Sequence, residues 1–165
     1  MKIFGLAGWS GAGKTTLVVR LLPVFAARGL RVSTIKHAHE NFDIDLPGKD
    51  SYEHRKAGAA EVLVSSRQRW AMIHEHRGAA EPSLDELVAL LSPVDLVLVE
   101  GFKRHAHDKL EVHRGGKPFL YPDDPHIVAI ASDSPVPESG RPVFPRDDTE
   151  GIATFIMGHC GLPGA

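Results

Sequence analysis

Gly8-Trp9-Ser10-Gly11-Ala12-Gly13-Lys14-Thr15 matches the phosphate-binding pattern G-x-x-x-x-G-K-[ST] at every fixed position, and this motif is the strongest indication of the fold. Lys2–Ala7 before it predicts a buried strand, and Thr16–Arg28 after it predicts an amphipathic helix. In this setting the glycines let backbone N–H groups turn towards a phosphate. Lysine at the seventh position typically reaches the β- and γ-phosphates, and the following hydroxyl holds magnesium. The stretch from Gly8 to Thr16 therefore predicts a P-loop that binds a nucleoside triphosphate with Mg²⁺.

Length and composition predict one globular domain spanning residues 1–165, with 42% hydrophobic and 24% charged residues. The 19 basic and 21 acidic residues include no long basic run, which argues against general nucleic-acid binding. The single cysteine, Cys160, excludes an intrachain disulfide and fits a reducing cytosol. No apolar run approaches the about 20 residues of a membrane span, and the opening strand leaves no room for a signal peptide. We expect a cytoplasmic protein with no membrane partner.

Apolar periodicity and capping residues predict the remaining elements. Further strands are expected at Arg31–His37, Glu61–Val64, Trp70–Ile73, Val94–Glu100, His126–Ala131 and Pro142–Pro145. Further helices are expected from Asp50 or Ser51 to near Gly58, from Ser83 to about Leu91, and from the cap at Asp147–Glu150 to about Cys160. The polar turn at Ser65–Arg69 predicts an antiparallel hairpin. The pattern predicts an α/β fold: a three-layer P-loop NTPase domain with a largely parallel sheet and an antiparallel hairpin extension.

Acidic residues that follow strands are the candidates for holding magnesium. Glu100 ends its strand ahead of Gly101, where many P-loop proteins place an acid that contacts the ion directly or through water; a solvated strand-end acid is the alternative. The loop at residues 38–50 contains Asp43, Asp45 and Asp50, and we choose Asp45 to complete the magnesium shell or position a water. A solvated loop acid is again the alternative. Catalytic or magnesium roles are thus assigned to Lys14, Thr15, Asp45 and Glu100.

Asp133 is the candidate for recognising the base. It follows the strand expected beside the base, where a carboxylate can accept from N1–H and the 2-amino group of guanine. This favours GTP over ATP, although the N-K-x-D signature is absent and an Asp-Ser-Pro turn explains the same residues. Positive charge for a second anionic ligand is available from Lys36, Lys49, Arg55 and Lys103.

The ten histidines raise the possibility of a metal site. They include the pairs His37/His39, His74/His76 and His105/His107, and residues two apart on a strand share a face. No pair is accompanied by a cysteine cluster, and imidazole also serves as a hydrogen-bond donor to anions. Because His37 and His39 follow the second strand, they are the pair expected beside the nucleotide.

Several segments in fixed order resemble the molybdopterin-guanine dinucleotide biosynthesis adaptor family, MobB. They are GLAGWSGAGKTTL, TIKHAH with a following FDIDLPGKDSY, AGAAEVLVSS, DLVLVEGFKRHAHDKLEV and IVAIASD. The similarity runs from about residue 2 to 158. The P-loop is common to a large superfamily, whereas KHAH, PGKDSY and VEGFK in this order are far more specific.

The resemblance implies a GTP-binding protein with weak GTPase activity in molybdenum cofactor biosynthesis. Such proteins are thought to assist the guanylyltransferase that joins GMP to molybdopterin, and they form homodimers through sheet-mediated contacts. By motif, Gly8–Thr16 would hold GTP and Mg²⁺, and Glu100-Gly101 would be the second nucleotide motif. The segments that would face the partner or a pterin contribute Lys36, His37, His39, Lys49, Asp50, Ser51 and Lys103.

Two other classes of function share these features. A small-molecule kinase would need arginines closing over the phosphates, for which Arg67, Arg69 and Arg77 in or beside the hairpin are candidates. A metal-delivery GTPase would use the histidine pairs. No arginine finger or positioned glutamine is evident near the P-loop, so slow hydrolysis is expected.

Overall fold

The computed structural model describes residues 1–38, 42–103 and 105–164. Contacts group the chain into two compact units, one formed by Met1–His37 with Leu84–Ala165 and the other by Ala38–Ser83. The elements in chain order are β1 (Lys2–Ala7), α1 (Lys14–Ala27), β2 (Val32–Lys36), α2 (Asp50–Lys56), β3 (Glu61–Ser65), β4 (Trp70–His74), α3 (Leu84–Ala89), β5 (Leu96–Glu100), β6 (Lys109–His113), β7 (Ile127–Ser132), β8 (Val143–Phe144) and α4 (Thr149–Cys160).

The first unit contains a six-stranded sheet in the order β2-β5-β1-β6-β7-β8, and every neighbouring pair is parallel. A second sheet, β3-β4, is an antiparallel pair. The predicted fold class, with its largely parallel sheet and antiparallel hairpin, is confirmed. Because β5 lies between β1 and β2, its last residue Glu100 is aligned with both Lys36 and Leu6.

Apolar side chains on the two faces of this sheet form separate clusters. On one face, α1 and α4 pack over the central strands through residues such as Leu21, Phe25 and Ile156, all of them fully buried. On the other face, Leu84 of α3 packs against Val97 and Val99 of β5. A strand buried on both faces is expected to be apolar throughout, as β5 is. The three-layer arrangement follows from these two clusters.

Strand β6 is buried although alternate residues are polar. Lys109, Glu111 and His113 are each at most 4% exposed. Lys109 donates to Asp124 at 2.9 Å, and the Glu111 carboxylate accepts from the backbone N–H groups of Leu120 and Tyr121 at 2.8 and 3.0 Å. These bonds satisfy polar groups that would otherwise be costly to bury. They also tie the segment after β6 down onto the sheet.

The second unit contains the β3-β4 sheet and α2, and the side chain of Arg55 connects several of its segments. Its guanidinium donates to the Asp43 carboxylate at 2.8 Å and to Glu75 at 3.0 Å. These partners hold the pKa of Arg55 above its ordinary value and that of Asp43 below it. Arg77 in turn donates to the carbonyls of Arg55 and Ala59. The loop before α2 and the strand end after β4 are thereby joined through one arginine.

None of the helices in the described ranges has both the length and the apolar character that a membrane crossing requires.

Candidate functional site

The predicted P-loop connects the C-terminal end of β1 to α1, which begins at Lys14. Its three glycines, Gly8, Gly11 and Gly13, have φ values of 144°, 77° and 102°, which other residues rarely adopt. A Cβ atom built on Gly11 would find no neighbouring atom within 4 Å, so the loop is open on that side. A Cβ atom on Gly8 would instead overlap the carbonyl oxygen of Val112. The loop is therefore packed against β6 at its base and open at its crest.

The lysine and the hydroxyl of the motif lie beside the acid predicted from the end of β5. Lys14 Nζ donates to the carbonyls of Gly8 and Trp9 at 3.0 and 3.1 Å. Thr15 Oγ1 donates to Glu100 Oε1 at 2.7 Å. A hydroxyl and a carboxylate at this separation are the hard oxygen donors that Mg²⁺ prefers. Three of the four residues assigned catalytic or magnesium roles are thus brought together at one sheet edge.

Two further lysines lie near the group formed by Lys14, Thr15 and Glu100. Lys36 Nζ lies 4.0 Å from Glu100 Oε1, and Lys103 Nζ lies 4.9 Å from the centre of the Trp9 ring. Burial lowers the pKa of Lys14; Glu100 opposes this shift, and the charges of Lys103 and Lys36 add to it. The site thus contains the three ammonium groups of Lys14, Lys36 and Lys103 and the carboxylate of Glu100, which gives it a positive potential suited to an anionic ligand.

Trp9 is held in place within the loop. Its indole N–H donates to the Pro118 carbonyl at 2.7 Å, in the segment that Glu111 anchors. With Lys103 over its ring, the bulky side chain of Trp9 is fixed on two sides. The sequence motif predicts the loop but says nothing of this contact, because Pro118 is 109 residues away.

The turn after β5 has an unusual backbone. Gly101 and Phe102 have φ values of 101° and 47°, and Phe102 is one of two non-glycine residues with positive φ among those described. The Phe102 ring lies 4.8 Å from that of His37, and a Cβ on Gly101 would come within 2.9 Å of His37 Cβ. The close approach explains why glycine follows Glu100. His39, the other member of the predicted pair, lies outside the described residues.

A cleft of about 530 Å³ continues from the P-loop along the first turns of α1. It is lined by Gly11, Gly13, Thr16, Leu17, Arg20, Val112, Arg114, Asp133, Arg146 and Asp147. Its volume is in the range of small-molecule sites. Asp133, the residue predicted to recognise the base, therefore lines this cleft, and its carboxylate forms an ion pair with Arg146.

Three arginines of the cleft were not among the predicted site residues. Arg20 follows Thr16 by one helical turn, so its position on the same face could have been inferred. Arg114 directly follows β6, a strand that the apolar pattern does not reveal. Arg146 donates to the Ala12 carbonyl at 3.0 Å across 134 residues, and no local signal marks it.

The remaining predicted residues belong to the second unit. Ser51 donates to Asp45 Oδ1 at 2.8 Å, and Arg55 Nε lies 3.8 Å from Asp45 Oδ2. Lys49 is at the N-cap position of α2 and makes no side-chain capping bond, and Asp50 is the first residue of the helix. These contacts organise the turn before α2; the magnesium role assigned to Asp45 and the ligand roles of Lys49, Asp50 and Ser51 stay predictions.

The other histidine pairs were also candidates. The rings of His74 and His76, and those of His105 and His107, are each 5.5 Å apart. Throughout the part of the chain that the structure describes, no group of three or more His, Cys, Asp or Glu side chains could hold a metal ion. Arg77, a candidate for a kinase lid, is bonded within the second unit.

Most of the chain is similar to one protein family and to known proteins. The family model described as molybdopterin guanine dinucleotide synthesis protein B, MobB, matches residues 3–133. The molybdopterin-guanine dinucleotide biosynthesis adapter protein of Escherichia coli K12 is 43% identical over 160 residues, covering 94% of this chain and 91% of the relative. The adapter protein of Haemophilus influenzae is 39% identical over 158 residues, covering 93% and 86%.

A solved structure agrees with the sequence comparison. The crystal structure of molybdopterin-guanine biosynthesis protein B superimposes with a TM-score of 0.73 at 30% identity, covering 95% of this chain and 99% of that one. The family model covers well over half of the chain, and the relatives match it almost from end to end. The chain belongs to the MobB family.

Proposed function

We propose that this protein is a GTP-binding adapter for the guanylyltransferase that joins GMP to molybdopterin, with slow GTPase activity at most. The observation that carries the proposal is the 2.7 Å contact of Thr15 with Glu100 beside Lys14, in a chain of the MobB family. The relatives named adapter proteins support a role in the assembly of molybdopterin guanine dinucleotide rather than in an unrelated pathway.

The residues of the P-loop fit a triphosphate and its magnesium ion. Gly11 leaves the crest of the loop open, and positive φ values at Gly8 and Gly13 orient the backbone for close approach. Lys14 would contact the phosphates, while Thr15 and Glu100 would hold Mg²⁺. When bound, the ion neutralises phosphate charge and orients the triphosphate. The protein's own part is to bind the phosphates, to fix the Thr15 hydroxyl through Glu100 and to supply the charges of Lys36 and Lys103.

Slow hydrolysis is proposed from what surrounds the loop. Fast GTPases use a glutamine to orient the attacking water. Neither the P-loop nor the segments that directly follow β2 and β5 contain a glutamine. A nucleotide that is bound tightly and hydrolysed slowly suits an adapter, because the bound state persists while the partner acts.

The preference for guanine depends on the cleft beside Thr16. Asp133 exposes about half of its side chain in that cleft, so its free lone pairs can accept from the guanine edge. Lys36 and Lys103 are further proposed to meet the anionic part of the partner's substrate, molybdopterin, since they flank the P-loop outside the Gly8–Thr16 motif.

We also propose a homodimer in the cytoplasm, in line with the family resemblance. Among the described residues β3 pairs only with β4, and one face of this small sheet exposes Leu63, Trp70 and Met72. Contiguous exposed apolar side chains of this kind mark association surfaces. Leu63→Glu should shift the sedimentation behaviour from dimer to monomer, whereas Leu90→Glu, at an equally exposed leucine of the first unit, should not.

The adapter role is tested by capture of the purified guanylyltransferase on the immobilised protein. We expect capture that is stronger with GTP and Mg²⁺ than without nucleotide, and a Lys14→Ala variant that captures equally in both conditions. Equal capture by the wild-type protein with and without GTP would contradict the proposed dependence of the adapter role on bound nucleotide. Phosphate release in the same samples measures the hydrolysis rate.

A further inference from the structure

Arg146 connects two parts of the cleft that are far apart in sequence. Its Nη1 donates to the Ala12 carbonyl of the P-loop at 3.0 Å. Its Nε and Nη2 contact Oδ2 of Asp133, and its backbone N–H lies 3.3 Å from Asp133 Oδ1. The guanidinium is therefore held at opposite edges, by the phosphate-binding loop on one side and by the end of β7 on the other.

A guanidinium fixed by its edges leaves its planar faces available. The Arg146 side chain is 29% exposed and lines the cleft that runs from the P-loop past Thr16. Backbone N–H groups of a P-loop cradle the α- and β-phosphates while its lysine reaches the β- and γ-phosphates. The sugar and base of a nucleotide must then extend beyond the loop, and this cleft, which begins at Gly11, Gly13 and Thr16, lies next to it.

We infer that Arg146 is the residue on which the nucleotide base stacks, and that Asp133 and the Ala12 carbonyl hold its guanidinium in place for that contact. This inference rests on the proposed nucleotide binding. Arginine stacks on aromatic rings through its flat, weakly hydrated cation, and lysine cannot replace it in that geometry. Stacking is insensitive to base identity, since every base presents a π-face.

Asp133 is accordingly a positioning residue in addition to any hydrogen bond that it makes with the base. A carboxylate that only read guanine would matter for GTP and not for ATP. A carboxylate that holds Arg146 matters for both nucleotides. The effect of Asp133 on ATP binding therefore separates the two roles.

The test is calorimetric titration of the full chain with Mg·GTP and Mg·ATP. Arg146→Ala should weaken both nucleotides by a similar factor of about five to thirty, which corresponds to roughly 1–2 kcal/mol of cation–π contact. Arg146→Lys should lose nearly as much, because it keeps the charge but not the plane. Asp133→Ala should weaken ATP too, and Arg146→Ala combined with Asp133→Ala should bind ATP no worse than Arg146→Ala alone. Arg28→Ala is the matched control, since it removes an ion-paired arginine of similar exposure, paired with Glu150 at the other end of α1.

Wild-type affinity for ATP in Asp133→Ala would overturn the positioning role. Unchanged affinity in Arg146→Ala, or full affinity in Arg146→Lys, would overturn the stacking. Thermal unfolding of each variant shows whether a loss reflects the fold. Absence of binding in the wild-type protein would refute the proposed function itself, whereas binding by the wild type that Arg146→Ala leaves intact refutes only this inference.

Discussion

Replacing Gly8 by alanine tests the packing of the P-loop against the sheet. Gly8 has a φ of 144°, which residues with a Cβ rarely adopt and which costs them about 1–3 kcal/mol. The added Cβ would also lie closer than 3.0 Å to the Val112 carbonyl oxygen, a separation that Cβ atoms essentially never show. Because Val112 belongs to β6, which is paired on both sides, the loop must move instead. Overpacking of this kind costs about 1–3 kcal/mol.

The two effects predict a loss of about 2–6 kcal/mol in the free energy of unfolding for Gly8→Ala. Urea denaturation followed by circular dichroism measures it. Gly29→Ala is the matched control, because Gly29 has a φ of 79° and a Cβ there meets nothing within 4 Å, so only the backbone strain of about 1–2 kcal/mol applies. Equal losses in the two variants, or a Gly8→Ala protein as stable as the wild type, would show that the Val112 carbonyl does not restrict residue 8.

Three other predictions concern single side chains of the first unit. Mg²⁺ should increase the GTP affinity of Glu100→Gln at least about tenfold less than that of the wild type, because glutamine keeps a partner for Thr15 but removes the negative charge that attracts the ion. Titration with GTP in the presence and absence of Mg²⁺ measures this difference, and an unchanged effect of Mg²⁺ would contradict the assignment of Glu100 to the magnesium site. Glu111→Ala should cost about 2–4 kcal/mol of unfolding free energy, since it leaves the buried amide of Tyr121 and the half-buried amide of Leu120 unpaired. A loss under about 1 kcal/mol in urea denaturation would contradict this. Burial lowers the pKa of His107 to about 4 from 6.5, so the folded protein binds fewer protons than the unfolded chain between those values and its stability falls as the pH drops from about 6.5 to 4. Thermal unfolding of His107→Gln should show a shallower fall over that range; parallel curves would contradict the assignment.

Most strands could be predicted because buried strands consist largely of apolar residues. Val94–Glu100 is nearly continuous in hydrophobic residues, and β5 is an internal strand of the sheet, between β2 and β1, as such a run predicts. Strand β6 was not predictable in this way. Lys109, Glu111 and His113 alternate as in a half-exposed strand, and only the distant partners Asp124 and the Leu120–Tyr121 amides make their burial possible.

The residues of the candidate site likewise include some that local sequence identifies and some that it does not. Lys14, Thr15 and Glu100 were found because a motif and a strand end specify them locally. Arg146 was not, because its role depends on a carbonyl and a carboxylate that the fold brings to it. Strand order is the physical reason: the sheet sets which loops meet at its C-terminal edge, and local sequence does not determine that order.

Calorimetric titration of the wild-type and Lys14→Ala proteins with Mg·GTP tests whether the P-loop binds GTP with magnesium. We predict binding by the wild type, tighter for GTP than for ATP by about tenfold, or about 1.4 kcal/mol. Binding of GTP should be at least about tenfold weaker in Lys14→Ala, with the same unfolding temperature. Equal GTP affinity in the two proteins, or no binding by either, would contradict GTP binding at the P-loop.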